Sequence, residues 1–517
     1  MTPLTLTSTS PTTSTAPSPT PAPSSTPSTS KWDESAARHL LNRAGFGGPP
    51  DQVRELAALG CKGAVARLID FGSIPWDGPS TDDIRSDIHT PLSPEERREV
   101  QRIMRGDDAE AIAAIRERRN EIDQTDRKQV RVIQEWWFRR MLESPRPMEE
   151  KMTLFWHGHF ASGIRTVKDS YHMYLQNQLF RRMAVGNFAT LVHEIIRDPA
   201  MLKYLDADEN RRQRPNENLA REVMELFVLG EGHGYTEADI KEGARALTGH
   251  SFHDDEAIFR RPEHDAGIKT IMGQTGAFDG DGFMDIILAR PEASEFIASK
   301  LYRFFVNDSP GAPTGKGAAL CQDLARTMRG EKYDLKPVLT QLFTSEHFYD
   351  AANRGAVVKS PVQLLVQASR ELGLPARNPQ VVGKGCAFMG QFILEPPNVK
   401  GWAGGRSWIS TSTLFARQNT MLYMLSGQGR GRAGGQPESL GWDPLAVVAH
   451  VPQQGDRAAI CAAVVDAVLD RCLSVAPSAH SRSILSQTLA DSGGTLDQDR
   501  VLGLLCLACA LPEYQLC

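Results

Sequence analysis

The chain has 517 residues, 41% of them hydrophobic, and a formal net charge of −5. By length alone that allows a sizeable core and about three domains. The lack of a basic excess argues against a nucleic-acid partner, and no run of about 18 apolar residues is present to span a membrane.

Residues 1–30 are almost all Thr, Ser, Pro and Ala and carry no charged side chain. Such a tract cannot bury enough apolar surface to offset its ordering entropy, so 1–31 reads as a disordered tail. It lacks the basic and apolar regions of a signal peptide, which points to the cytoplasm; export stays open if the start codon is misassigned. Beyond it, apolar spacing predicts helices over 36–44, 50–59 and 62–71, then a Pro/Asp-rich loop over 73–93. Helices over 94–105 and 108–142 follow. Trp136, Trp137 and Phe138 are adjacent, so the second of these should be covered on more than one side.

The next predicted helix, 147–160, carries two histidines. His159 shares a side with Met148, Met152, Phe155 and Trp156, and His157 lies roughly opposite. Residues i and i+2 do not face each other on a helix, so a metal held by both needs the backbone to leave the helix near Gly158. The alternative is a core histidine satisfied by one hydrogen bond.

Helices over 169–183, 188–197 and 199–205 lead into 214–250, where chemistry is densest. One helix is predicted over 216–229, capped by Asn216 or Asn218 and stopped by Gly230. A second starts at Thr236, with Asp239 completing a capping box, and stops at Gly249. On the first, Glu217, Arg221 and Glu225 form a stripe opposite the apolar face, with Glu222 at the boundary. They are either a solvated stripe, contributing about 0.2–0.5 kcal/mol per pair, or a polar site in which Glu222 and Glu225 offer two carboxylates to a metal or substrate.

Short strands are predicted over 257–261 and 268–272, joined by a turn holding His264 and Asp265, with Lys269 just beyond. Sites favour loops on a rigid scaffold; Asx-turn capping by Asp265 is the other reading. Helices then recur over 282–289, 293–306, 317–329, 335–345, 361–372, 379–389 and 413–426. The 396–406 loop presents Lys400, Trp402 and Arg406, which either bind a sugar or planar ligand or plug the core. A Gly/Arg linker over 427–440 divides the 32–426 core domain from a C-terminal helical segment, 441–517, packed on it. The Cys-x-x-Cys of Cys506 and Cys509 lies in an apolar run and reads as core. Phosphate-binding glycine loops and common hydrolase motifs are absent.

Several stretches occur together and in order: Asn-Glu-Asn-Leu-Ala-Arg-Glu-Val-Met-Glu-Leu-Phe-Val-Leu-Gly (216–230), Gly-Tyr-Thr-Glu-Ala-Asp-Ile (234–240), Phe-Trp-His-Gly-His-Phe (155–160) and His-Asp-Ala-Gly-Ile-Lys-Thr-Ile-Met-Gly (264–273). Lys-Leu-Tyr-Arg-Phe-Phe-Val (300–306), Lys-Ser-Pro-Val (359–362), Glu-Pro-Pro-Asn-Val-Lys-Gly-Trp (395–402) and Ser-Thr-Ser-Thr-Leu (410–414) complete the set. Together they resemble the bacterial domain-of-unknown-function 1800 family (DUF1800), from about Ala36 to the Pro-Glu-Tyr-Gln at 512–515. The resemblance implies no activity. It does suggest a partner, because such proteins are often encoded beside a sulfatase-like exported family, DUF1501.

The expected fold is mainly α: a large irregular multi-helix domain with one small β-hairpin. Two functions stay open. One is an enzyme hydrolysing a glycan or other polymer, with Glu222, Glu225, His264, Asp265 and Arg221 as catalytic groups. Asn216, Glu217, Asn218, Lys400, Trp402 and Arg406 would bind substrate. His157, His159, His264, Glu222 and Glu225 would converge on zinc, iron or manganese, with Asp265 orienting His264. Without metal, the carboxylates would serve as an acid/base pair. The other is a non-catalytic partner of a DUF1501-like protein.

Overall fold

Pro147 suits a first helical turn, where its missing N–H costs nothing, and it opens the helix Pro147–His159. Every residue of that helix except Gly158 is buried. It stands between two apolar cores: Met148, Met152, Phe155 and Trp156 face one, and Leu154 faces the other. The first core is built on Glu34–Ala44, Phe188–Ile195, Pro291–Phe305, Gly315–Gly330 and Leu335–Thr344. The second unites the C-terminal half of Ala109–Glu143 with Pro361–Leu372, Arg457–Cys472 and Gln498–Ala510. Trp136, Trp137 and Phe138 are all buried there, so that long helix is covered on several sides, as their adjacency requires.

The computed structural model describes residues 32–428, 438–452, 454–491 and 496–517. The 1–31 tail and most of the 427–440 linker lie outside them. Among the described residues, 22 α-helices and two small antiparallel sheets make the fold mainly α. No helix among them is long and apolar enough to cross a membrane.

A helix buried all round that carries Glu149, Glu150, Lys151, Thr153, His157 and His159 must satisfy these groups inside the protein. Glu150 accepts from Trp137 Nε1 at 3.0 Å, Arg140 Nε at 2.6 Å, and Arg181 Nε and Nη2 at 2.9 Å each. Thr153 donates to the Glu149 carbonyl. Buried and half-buried arginines elsewhere clamp the orphan carbonyls at helix ends. Arg43 donates to the carbonyls of Phe305 and Val306, and Arg370 to those of Leu142 and Ser144.

Two expectations are corrected. The strands near 257–261 and 268–272 do not pair with each other. His250–His253 pairs with Glu256–Phe259, and Lys269–Ile271 with Gln274–Gly276. Tight local turns win over the longer one: Met272 and Gly273 both adopt positive φ, the geometry that matches strand twist. Further, the 216–229 helix is not uniformly α. Asn218–Glu222 is α and Val223–Val228 is π, with Glu217 at the N-cap. The wider turn keeps Val223 and Met224 on one buried face with Phe227 and Val228, and leaves Leu226 only half-buried.

Candidate functional site

The histidines of the central helix are held apart. Gly158 does not break the helix; it lets the 396–406 loop approach. A Cβ on Gly401, whose φ is +76°, would lie 2.0 Å from the Gly158 carbonyl oxygen, and the Trp402 ring lies 3.5 Å from a Cβ built on Gly158. His157 Nε2 accepts the Leu394 N–H at 3.1 Å, which occupies its lone pair. Burial pushes its pKa down to about 3. His159 Nε2 donates to the Phe227 carbonyl at 2.9 Å, on the π turn. Burial, assisted by the Lys300 charge, lowers its pKa to about 3 against the pull of that carbonyl. A neutral ring that donates from Nε2 presents Nδ1 as an acceptor.

Asn216, Glu217 and Asn218 serve the local architecture. Asn216 Oδ1 accepts the Asn218 N–H, and both amides donate to carbonyls of the 205–206 turn. Arg221 bonds Glu237 through two contacts of 2.8 and 2.7 Å and also reaches Glu217 and Glu225. It therefore ties the two helices of the 214–250 stretch together. Glu222 lies close enough to Glu225, Lys400 and Glu231 to feel their charges. Burial first, then Glu225, raises its pKa.

The His-Asp turn is a separate network. His264 Nδ1 donates to the Thr248 carbonyl at 2.9 Å. Asp265 pairs with Arg245 at 2.7 Å and accepts the Gly267 N–H, the Asx-turn role. The Arg245 hydrogen bond lowers its pKa to about 2, opposed by burial and helped by the Gly267 N–H. Asp265 therefore does not orient His264. The expected convergence of His157, His159, His264, Glu222 and Glu225 on a metal is not supported either. Among the described residues no group of three or more His, Cys, Asp or Glu could hold one. Each of the three histidines already has a hydrogen bond to a backbone group of another segment.

What does converge is a cavity of about 560 Å³ beside the central helix. Arg43, Lys151, Lys300, Arg303, Lys359 and Lys400 line it, and Asp308 is the one acidic side chain among the described lining residues. His159 and Trp402 also line it; Arg406 is exposed and does not. Lys400 pairs with Glu231 at 2.7 Å, so the Glu222–Glu225–Glu231 group lies at the cavity's edge.

The other lysines lack carboxylate partners. Lys151 donates to Gln363 Oε1 and lies 5.0 and 5.3 Å from the Phe46 and Phe304 ring centroids. Lys300 sits 5.0 Å from the Phe296 centroid. Lys359 is fully buried, with its ammonium 4.1 Å from the Tyr514 centroid and without a hydrogen-bond acceptor among the described residues. Burial pushes the Lys151 pKa down to about 7; Cys517 opposes this and Arg43 adds to it. Burial also lowers that of Lys300.

The motifs 155–160, 300–306, 359–362 and 395–402 each contribute to the lining. Lys151 and Lys359 carried no functional reading in the sequence. Spacing within 147–159 gave no signal for Lys151, because it follows two glutamates in a segment of mixed polarity and its burial comes from helices distant in the chain.

The fold and cavity thus define a mainly helical protein with a cation-lined internal cleft. The family model described as protein of unknown function (DUF1800) matches residues 39–516, and the chain belongs to that family. No curated protein and no solved structure matches it.

Proposed function

We infer that the chain binds a small anionic molecule, or the anionic end of a polymer, in the Lys151 cavity, and that Lys151 exchanges a proton with it. The observation that carries this reading is six cationic side chains against one acidic side chain among the described residues that line the cleft. Such a surface concentrates anions, and a buried cation without an acceptor, as Lys359 is among the described residues, is costly until an anion pairs with it. A lysine amine that titrates near neutrality can donate or accept a proton at physiological pH.

The test is titration of tag-free protein with sodium sulfate and sodium glucuronate by calorimetry and thermal melting, with ionic strength held constant by sodium chloride. Saturable heat and a rising melting temperature are expected. A response equal to that of sodium chloride sinks the reading. Trp402→Ala is expected to weaken glucuronate more than sulfate and to reduce the ligand-dependent fluorescence change, with the far-ultraviolet spectrum unaltered. An aggregated variant would assign Trp402 to the core.

A second reading is hydrolysis by the carboxylate pair at the cavity's edge. It is favoured by the raised pKa of Glu222 beside Glu225, the condition for a general acid. The raised value means the folded state holds the proton more tightly than the unfolded one. Wild-type stability therefore falls as pH rises from 4.5 through the folded pKa. Glu222→Gln is expected to match or slightly exceed wild-type stability at pH 7 while abolishing any hydrolase activity. A variant less stable at pH 7 would show that the carboxylate is held ionised.

A further inference from the structure

Behind Lys151 a row of buried side chains runs along one face of Pro361–Leu372. Lys151 Nζ donates to Gln363 Oε1. Gln363 Nε2 donates to Gln367 Oε1 at 2.8 Å, and Gln367 Nε2 donates to Glu371 Oε1 at 2.9 Å. All four residues are buried. Spacing of i, i+4 and i+8 puts the last three on one face, one turn apart.

The direction of the chain is fixed at its ends. An ionised carboxylate can only accept, so Gln367 turns its amide nitrogen toward Glu371 and its oxygen toward Gln363. The Asn42 carbonyl also accepts from Gln363 Nε2 at 3.1 Å, which leaves the Gln363 oxygen for Lys151. Every hydrogen bond therefore donates from the lysine end toward the acid end. Aligned amides polarise one another, so the charge of Glu371 strengthens the Gln363 oxygen as an acceptor for the ammonium.

We propose that Glu371 is a positioning residue for the cavity: acting through the amides of Gln367 and Gln363, its carboxylate holds Lys151 in the protonated state that grips an anion. The proposal rests on the anion-binding reading of the cavity and adds the group that sets its pH range. Lys151 is opposed by the Arg43 charge and assisted by Cys517, with Phe46 and Phe304 packed against it. Glu371 is raised by burial and drawn back by Lys359, the Gln367 amide, Arg38 and Arg471.

The test measures Lys151 itself. Full-length protein is labelled with acetic anhydride between pH 5 and 10, and the rate at Lys151 is read by peptide mass spectrometry. Wild type is expected to titrate near pH 7. Glu371→Gln keeps an acceptor for Gln367 and removes the charge, so the midpoint should fall by about one pH unit. Gln367→Met interrupts the row while keeping Glu371, and the same direction of shift is expected.

Sulfate does not titrate in this range, so sulfate binding at pH 8 should weaken about tenfold in Glu371→Gln, following the loss of ammonium. A Lys151 midpoint unchanged in both variants overturns the proposal. A shifted midpoint in protein that binds no sulfate keeps the relay and overturns the anion-binding reading. If Glu371→Gln does not fold, Gln367→Met decides alone.

Discussion

Replacing Glu150 by alanine is expected to lower unfolding free energy by about 3–5 kcal/mol, the loss that follows when one side of a buried ion pair is removed. Glu150 is fully buried and accepts four hydrogen bonds from Trp137, Arg140 and Arg181. Removing it strands two buried guanidinium groups and an indole N–H. Arg140 retains a weaker 3.5 Å contact to Glu149 and the faces of Trp76 and Trp136, while Arg181 keeps its bond to Gln178 and the face of Trp136. Glu150→Gln keeps the shape and the Trp137 bond but not the charge, and should fall between the two.

The pH dependence follows from the shift. Burial raises the Glu150 pKa, but the charges and hydrogen bonds of Arg181 and Arg140 outweigh it, and the net direction is down from 4.5. An acid with a depressed folded pKa binds fewer protons folded than unfolded. Its contribution is complete above 4.5 and is lost as pH falls through the folded pKa. Denaturant titrations of wild type and Glu150→Ala should therefore differ most at neutral pH and converge in acid. A difference under about 1 kcal/mol at pH 7 would show that Arg140 and Arg181 find other partners.

Lys151→Met is expected to act in the opposite sense, raising stability at pH 7 by about 1–3 kcal/mol while weakening sulfate binding at least tenfold. Lys151 is fully enclosed, and its pKa falls from 10.5 to about 7. The unfolded chain therefore binds more protons than the folded one in this window, and wild-type stability rises with pH between the two values. The cost of burying the ammonium is complete below about 7 and gone above 10.5. Methionine removes that cost and keeps most of the volume, at the expense of leaving Gln363 Oε1 without its donor, about 1 kcal/mol. Melting curves of the two proteins should converge as pH rises toward 10.5. A variant less stable than wild type at pH 7 would mean that Lys151 is held by a partner strong enough to offset its burial.

Glu150 and Lys151 are neighbours on one helix, and their replacements differ in sign because their partners differ. Glu150 meets two guanidinium groups; Lys151 meets an amide and two rings. Nothing within residues 147–159 reveals that difference, since the partners come from the 137–140 region, Arg181, Gln363, Phe46 and Phe304.

Local chemistry, by contrast, was legible. The Thr236–Asp239 capping box is present with both of its hydrogen bonds, and Gly230 and Gly249 adopt the positive φ that a chain reversal demands. The helical class and most helix positions follow from apolar spacing and capping residues a few positions apart. The stripe of Glu217, Arg221 and Glu225 was also recognisable, and Arg221 does bridge the two acids.

The set of helices and their caps could be read along the chain because both depend on interactions within about one turn. Long-range packing, in contrast, set the π turn at Val223–Val228, the separate surroundings of His157, His159 and His264, and the cation-lined cavity. The reason is physical. A histidine is a ligand or a core residue according to which carbonyl or amide reaches it, and a lysine is solvated or buried according to which helices cover it. Those neighbours lie tens to hundreds of positions away, where spacing along the chain carries no information about distance in space.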